Sequence, residues 1–164
     1  EGYGPGGVAV LVSVTTDNKN RTAGDIRHTF TKCGGRFGES GSVAWMFEKK
    51  GMFTFDMDSI SEEKLMEIAI EAGAEDILTN NEDMVFEVYT AHMDFHKVKE
   101  VFDAKGIKPA LAEISMIPKN TVRIAGKEAE QVLRLMEELE EQDDVQNVYA
   151  NFDIPQEEME REVF

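Results

Sequence analysis

The chain has 164 residues, 41% of them hydrophobic and 30% charged; this fits one large domain or two small ones with a real core and excludes a disordered polymer. No apolar run approaches the ~20 residues that span a bilayer, and the single cysteine, Cys33, excludes an internal disulfide and a multi-cysteine zinc site. With 17 basic and 33 acidic side chains the net charge is −16, so the body of the chain is repelled by phosphate backbones.

Gly2–Gly7 (GYGPGG) reads as turn-rich punctuation, because Gly allows positive φ and Pro5 fixes its own. Val8–Val14 is a β-branched apolar run and predicts a buried strand. Asp17 and Asn18 supply cap chemistry for a helix from about Arg21 to Lys32, with Ala23, Ile26, Phe30 and Cys33 on its inner face. Gly34 and Gly35 end it. Residues 36–42 read as a glycine-rich loop and Val43–Phe47 as a strand. Lys49-Lys50-Gly51 reads as a turn, and Met52–Asp56 as another strand. Ser59 or Ser61 caps a helix over Glu62–Ala72, with Gly73 as its C′ residue. Strands near 75–79 and 84–90 flank a hairpin turn at Asn80–Asp83. A helix over Asp94–Lys105 follows, then a strand over 110–117 that Pro118 ends. The last elements are an extended piece at Thr121–Ile124, a helix over Lys127–Glu140 and a strand over Val145–Phe152.

Residues 51–118 thus read β-α-β-β-α-β, the order of the ferredoxin-like split βαβ unit. The expected fold class is α+β, with two small domains. Residues 1–50 and 119–154 form a discontinuous domain, 51–118 a ferredoxin-like domain inserted into it, and 155–164 a polar C-terminal tail, frayed or marginally helical. Charge divides the same way. Residues 1–50 hold 7 basic and 5 acidic side chains, 51–118 hold 5 and 15, and 119–164 hold 5 and 13. Phosphate contacts from this chain are therefore expected in the first fifty residues.

GYGPGG lacks the spacing and the Lys-Ser or Lys-Thr of a phosphate loop, and it precedes a strand. His92 and His96 share helical spacing but have no evident third ligand, so surface histidines are the simpler reading. His28 and Cys33 point to different helix faces, against a nucleophilic pair. The carboxylate runs at 137–144 read as a solvated face or as a surface for a basic partner. Trp45, Phe47 and Phe53 read as core aromatics ahead of base-stacking platforms. The basic side chains of the first helix are the stronger feature. Lys19, Arg21, Arg27 and Lys32 are the expected nucleic-acid contacts, with His28 and Arg36 nearby, although Asp25 interrupts the stripe. No catalytic residue, metal or cofactor is expected.

The segments GYGPGG, DNKNRTAGDIRHTFTKCGG and GSVAWMFEKKG, with AIEAGAED (69–76), ISMIPKNTV (114–122) and DDVQNVYAN (143–151), resemble the YebC-type family. Its mitochondrial relatives include the translational activator of cytochrome oxidase subunit one. The resemblance spans nearly the whole chain. It implies a basic helical first domain, an α/β second domain and a ferredoxin-like third domain inserted in the second. Because the chain opens Glu-Gly-Tyr without Met, it reads as a fragment lacking the first domain. The resemblance further implies a cytoplasmic, non-enzymatic regulator of gene expression. Such a protein binds the ribosome or its RNA to assist translation, or binds DNA as a transcriptional regulator, mainly through that first domain and without a membrane. A third reading makes the ferredoxin-like domain a small-ligand sensor that pairs sheets with a second copy.

Overall fold

A computed structural model describes residues 1–154. The fold class is α+β. In chain order the elements are β1 (Gly2–Tyr3), β2 (Ala9–Val14), α1 (Lys19–Lys32), β3 (Arg36–Phe37), β4 (Phe47–Asp56) and α2 (Glu62–Ala72). They continue with β5 (Asp76–Asn80), β6 (Val85–Ala91), α3 (Phe95–Ala104), β7 (Leu111–Pro118), β8 (Val122–Arg123), α4 (Gly126–Glu140), β9 (Val145–Ala150) and β10 (Phe152–Asp153). The predicted tail at 155–164 lies outside the described residues. No helix of the described residues is long and apolar enough to cross a membrane. The chain divides into two compact units, one of Glu1–Glu48 with the chain from Pro118 on, the other of Lys49–Ile117.

The first unit holds a four-stranded sheet in the order β3-β1-β2-β9, with a two-stranded pair of β10 and β8. Val8 and Val10 meet Ile26 and Phe30 of α1 and Val132, Leu135 and Leu139 of α4 in one core. Those α4 positions recur every three or four residues, which keeps them on one helical face. Asn18 caps α1, its side chain accepting from the Arg21 amide at 3.1 Å. Asn151, 6% exposed, knits three segments together. Its Oδ1 accepts from the Ala9 amide at 2.8 Å, its own amide donates to the Ala9 carbonyl at 3.2 Å, and its carbonyl accepts from the Val122 amide at 2.7 Å. Asn151→Ala should cost about 1–3 kcal/mol in chemical denaturation, because it strands a buried amide. An unchanged unfolding midpoint would mean that the Ala9 amide finds another acceptor.

The second unit runs strand, helix, strand, strand, helix, strand along the chain, and its sheet order is β5-β6-β4-β7. Ser61 caps α2 by accepting from the Lys64 amide at 3.3 Å, and Gly73 leaves the helix at φ 99°. Phe53, Phe55, Phe95 and Phe102 form the aromatic centre of this core. Phe53 stacks on Phe95 with ring centroids 5.0 Å apart.

Four expectations need correction. The predicted strand at Val43–Phe47 is a 3-10 turn at Ala44–Met46, and only Phe47 belongs to β4. The Glu1 carboxylate accepts from the amides of Gly41, Val43 and Ala44 at 2.6, 3.1 and 2.7 Å, so these donors are not available to a ladder. Trp45 is 65% exposed and is not a core aromatic, whereas Phe47 and Phe53 are buried; its indole donates to the Ser42 carbonyl at 3.0 Å. Lys49-Lys50-Gly51 does not turn. Lys50 pairs with Ala91 and Gly51 with Thr90, so β4 is one continuous strand. Gly51 serves space: a Cβ there would overlap Thr90 Oγ1 and press on the Phe95 ring. Gly2 likewise lies in strand β1, where a Cβ would come within 2.8 Å of both the Arg36 carbonyl and the Phe30 ring.

Candidate functional site

The basic side chains of α1 divide between two sides of the helix. On one side, Arg21 Nη2 lies 3.3 Å from Asp17 Oδ1 and 3.5 Å from Asp144 Oδ2. The Thr22 hydroxyl donates to the same Asp144 oxygen at 2.7 Å. That bond, with Thr16 and Arg21 adding to it, holds the Asp144 carboxyl below its ordinary range despite some desolvation. Further along, Lys32 Nζ lies 2.9 Å from Glu138 Oε1. Arg21 and Lys32 are thus tied to acids of the same unit. Between them lies an open groove of about 670 Å³, lined by Arg21, Asp25, His28, Glu141, Asp143 and Asp144 among others. Four carboxylates there outnumber the cations, so the groove suits a cationic group better than a phosphate.

Cys33 belongs to this network. Its thiol donates to Glu138 Oε2 at 2.9 Å. Burial, then the hydrogen bond to Glu138 and its charge, push the thiol pKa up to about 11. The same thiol, followed by Lys32, holds the Glu138 carboxyl below its ordinary range. The thiolate is the reactive form, so Cys33 should alkylate slowly near neutral pH. Glu138→Gln removes the charge and should speed iodoacetamide labelling several-fold. An unchanged labelling rate would assign the inertness to burial alone.

On the other side, Lys19 and Arg27 stand eight residues apart, about 12 Å along the helix. Both are exposed, and neither forms an ion pair among the described residues. The Arg27 guanidinium lies 5.0 Å from the centroid of the Phe37 ring. Beside them runs a small cleft of about 180 Å³, with Lys19, Val12, Val14, Ile26, Phe37 and Glu1 among the residues of its walls; its acid, the Glu1 carboxylate, is engaged by the Gly41, Val43 and Ala44 amides. The structure therefore brings Lys19, Arg27 and Phe37 to one side of α1, and Arg21 and Lys32 to the acid-lined side. Sequence reasoning missed Phe37, because a phenylalanine in a glycine-rich loop carries no periodic signal. It also missed Asp144 and Glu138 as partners, since they lie more than a hundred residues from α1 in the chain.

The other sequence candidates take structural places. Gly6 and Gly7 have φ of 75° and 79° in a short turn whose Pro5 is buried. His92 opens a 3-10 turn and His96 lies in α3. Among the described residues, no group of three His, Cys, Asp or Glu is placed to hold a metal ion.

A family model described as TACO1/YebC second and third domain matches residues 1–152. Two curated relatives, each named a probable transcriptional regulatory protein, come from Syntrophus aciditrophicus and Syntrophobacter fumaroxidans. They are 57% identical over 161 residues and 56% identical over 162. In both cases 98% of this chain is covered against 64% of the relative, so the chain spans just under two thirds of their length. The crystal structure of a conserved hypothetical protein from Aquifex aeolicus superposes with a TM-score of 0.82 at 46% identity, covering 94% of this chain and 63% of that one.

Proposed function

This chain belongs to the TACO1/YebC family, and from that premise we propose that it is part of a cytoplasmic, non-enzymatic regulator of gene expression that binds the ribosome or its RNA to assist translation. The regulatory role follows the names of its relatives. The observation that carries the binding site is the side of α1 that holds Lys19 and Arg27, two exposed cations without ion partners among the described residues, beside Phe37. Free cations suit phosphates, which single-stranded RNA presents; Phe37 is half-buried against the core with Arg27 over its ring, so it serves mainly to hold that guanidinium in place. Arg21 and Lys32 lie on the acid-lined side of α1 and add phosphate contacts there only by giving up Asp144 and Glu138, so they rank behind Lys19 and Arg27.

The architecture in this reading is a discontinuous α+β domain, residues 1–50 and 119–154, with a ferredoxin-like domain at 51–118. The strand order β5-β6-β4-β7, with β4 and β6 central, supports the ferredoxin-like label. A basic helical domain outside this chain supplies most of the phosphate contacts, and the α1 surface adds a secondary set. The acidic inserted domain acts as a spacer or meets basic ribosomal proteins.

A second reading, a DNA-binding transcriptional regulator, is favoured by the relatives' names. Titrating the chain, and a longer version carrying the basic helical domain, with ribosomal RNA and with duplex DNA at two salt concentrations separates the two. Tighter, salt-sensitive binding to the RNA supports the ribosomal reading. Sequence-dependent duplex binding without RNA affinity overturns it in favour of transcription.

A further inference from the structure

Helix α2 carries an apolar pair that its own unit does not use. Leu65, Ile68, Ala69 and Ala72 face the core. On the outer side Met66 and Ile70 stand one turn apart, 40% and 65% exposed. At roughly 100° per residue, Ile70 falls nearly opposite the core stripe. Glu63, Glu67 and Glu71 border the pair and are exposed. No ion pair among the described residues engages any of the three.

Helix stability accounts for only part of this arrangement. Glu63 lies in the first turn and suits the helix dipole, but Glu67 and Glu71 lie beyond it, like charges four residues apart repel one another, and Ile is a poorer helix former than Ala, Lys or Glu. An exposed apolar pair flanked by acids of one sign has the composition of a small contact surface: an apolar anchor beside charged groups that select the partner. We propose that the outer face of α2 is a docking surface for a basic amphipathic polypeptide segment. Its apolar side chains seat on Met66 and Ile70, and its Lys or Arg side chains meet Glu63, Glu67 and Glu71. The charge selects this occupant over others. Residues 51–118 hold 15 acidic and 5 basic side chains, a field that repels nucleic acid, an anionic bilayer and a second copy of this chain, and attracts a cationic segment. The inference stands whether RNA or DNA is the target of the other unit.

Amide NMR of the isotopically labelled chain, titrated with a synthetic helical peptide bearing Leu on one face and Lys on the other, tests it. Shifts should centre on α2. Affinity should fall by about tenfold in Met66→Ser with Ile70→Ser, and similarly in Glu63→Lys with Glu67→Lys. All four sites are exposed, so the variants should keep the parent circular dichroism spectrum. A peptide of the same charge without Leu should bind more weakly. Shifts confined to the groove of Arg21 and Asp144, equal affinity for the Leu-free peptide, or binding indifferent to both double variants would overturn the proposal.

Discussion

Phe102→Ala should lower the stability of the Lys49–Ile117 unit by about 3–5 kcal/mol. Phe102 is fully buried, and its ring meets Phe53 and Phe55 edge-on, with centroids 5.0 and 5.2 Å away. One side chain thus joins α3 to the central strand β4. Truncation loses the transfer free energy of the ring and both edge contacts, and it leaves a cavity bounded by strand residues that cannot close over it. Phe95→Ala makes the control. Phe95 is 6% exposed and stacks on Phe53 near the start of α3, where solvent is closer, so its loss should be smaller. Hydrogen exchange of the β4 and β6 amides reads the effect within this unit, with rates rising by two or more orders of magnitude in Phe102→Ala. A loss equal to that of Phe95→Ala would mean that the edge contacts add nothing beyond burial.

Lys19→Glu with Arg27→Glu should weaken binding to ribosomal RNA by about 10- to 100-fold at low salt and reduce the salt slope by about two. The two side chains are exposed and hold no ion pair among the described residues. Among the described residues the ring contact given up is that of Arg27 over Phe37, worth roughly 0.5–1 kcal/mol at an exposed site. Thermal unfolding should therefore move little while affinity drops. Arg21→Glu with Lys32→Glu makes the informative contrast. It also reverses two charges, but it places them against Asp144 and Glu138, so its affinity loss should come with a clear loss of stability. Equal affinity losses without any stability difference would place the phosphates on the acid-lined side of α1 after all.

The elements most legible in the sequence are those whose local chemistry and burial agree. α2 runs over the predicted residues because Ser61, the inward positions Leu65, Ile68, Ala69 and Ala72, and Gly73 all point the same way. α1 and α4 follow from the same periodicity, with ends shifted by a residue or two. The misreadings cluster at glycines. Gly2 and Gly51 were expected to turn the chain, yet both sit in strands where a neighbouring ring or hydroxyl leaves no room for a Cβ. A sequence records that glycine is present but not whether it answers a dihedral or a distance. The Ala44–Met46 turn depends on Glu1, some forty residues away, collecting three amides. The basic residues of the site were visible because helical spacing is local. Their division into paired and free cations was not, because it depends on α4 and on the segment that follows it.

Contact between the Lys19 and Arg27 side of α1 and the ribosome is tested by co-sedimentation at near-physiological salt, using this chain and a version extended by the basic helical domain proposed above, each with and without Lys19→Glu and Arg27→Glu. The parent protein should pellet with ribosomes, and the double variant should need a markedly higher concentration to do so. Pelleting unaffected by the double substitution would contradict the α1 surface, and failure of the parent to pellet, alongside tight duplex DNA binding, would contradict the ribosomal function itself.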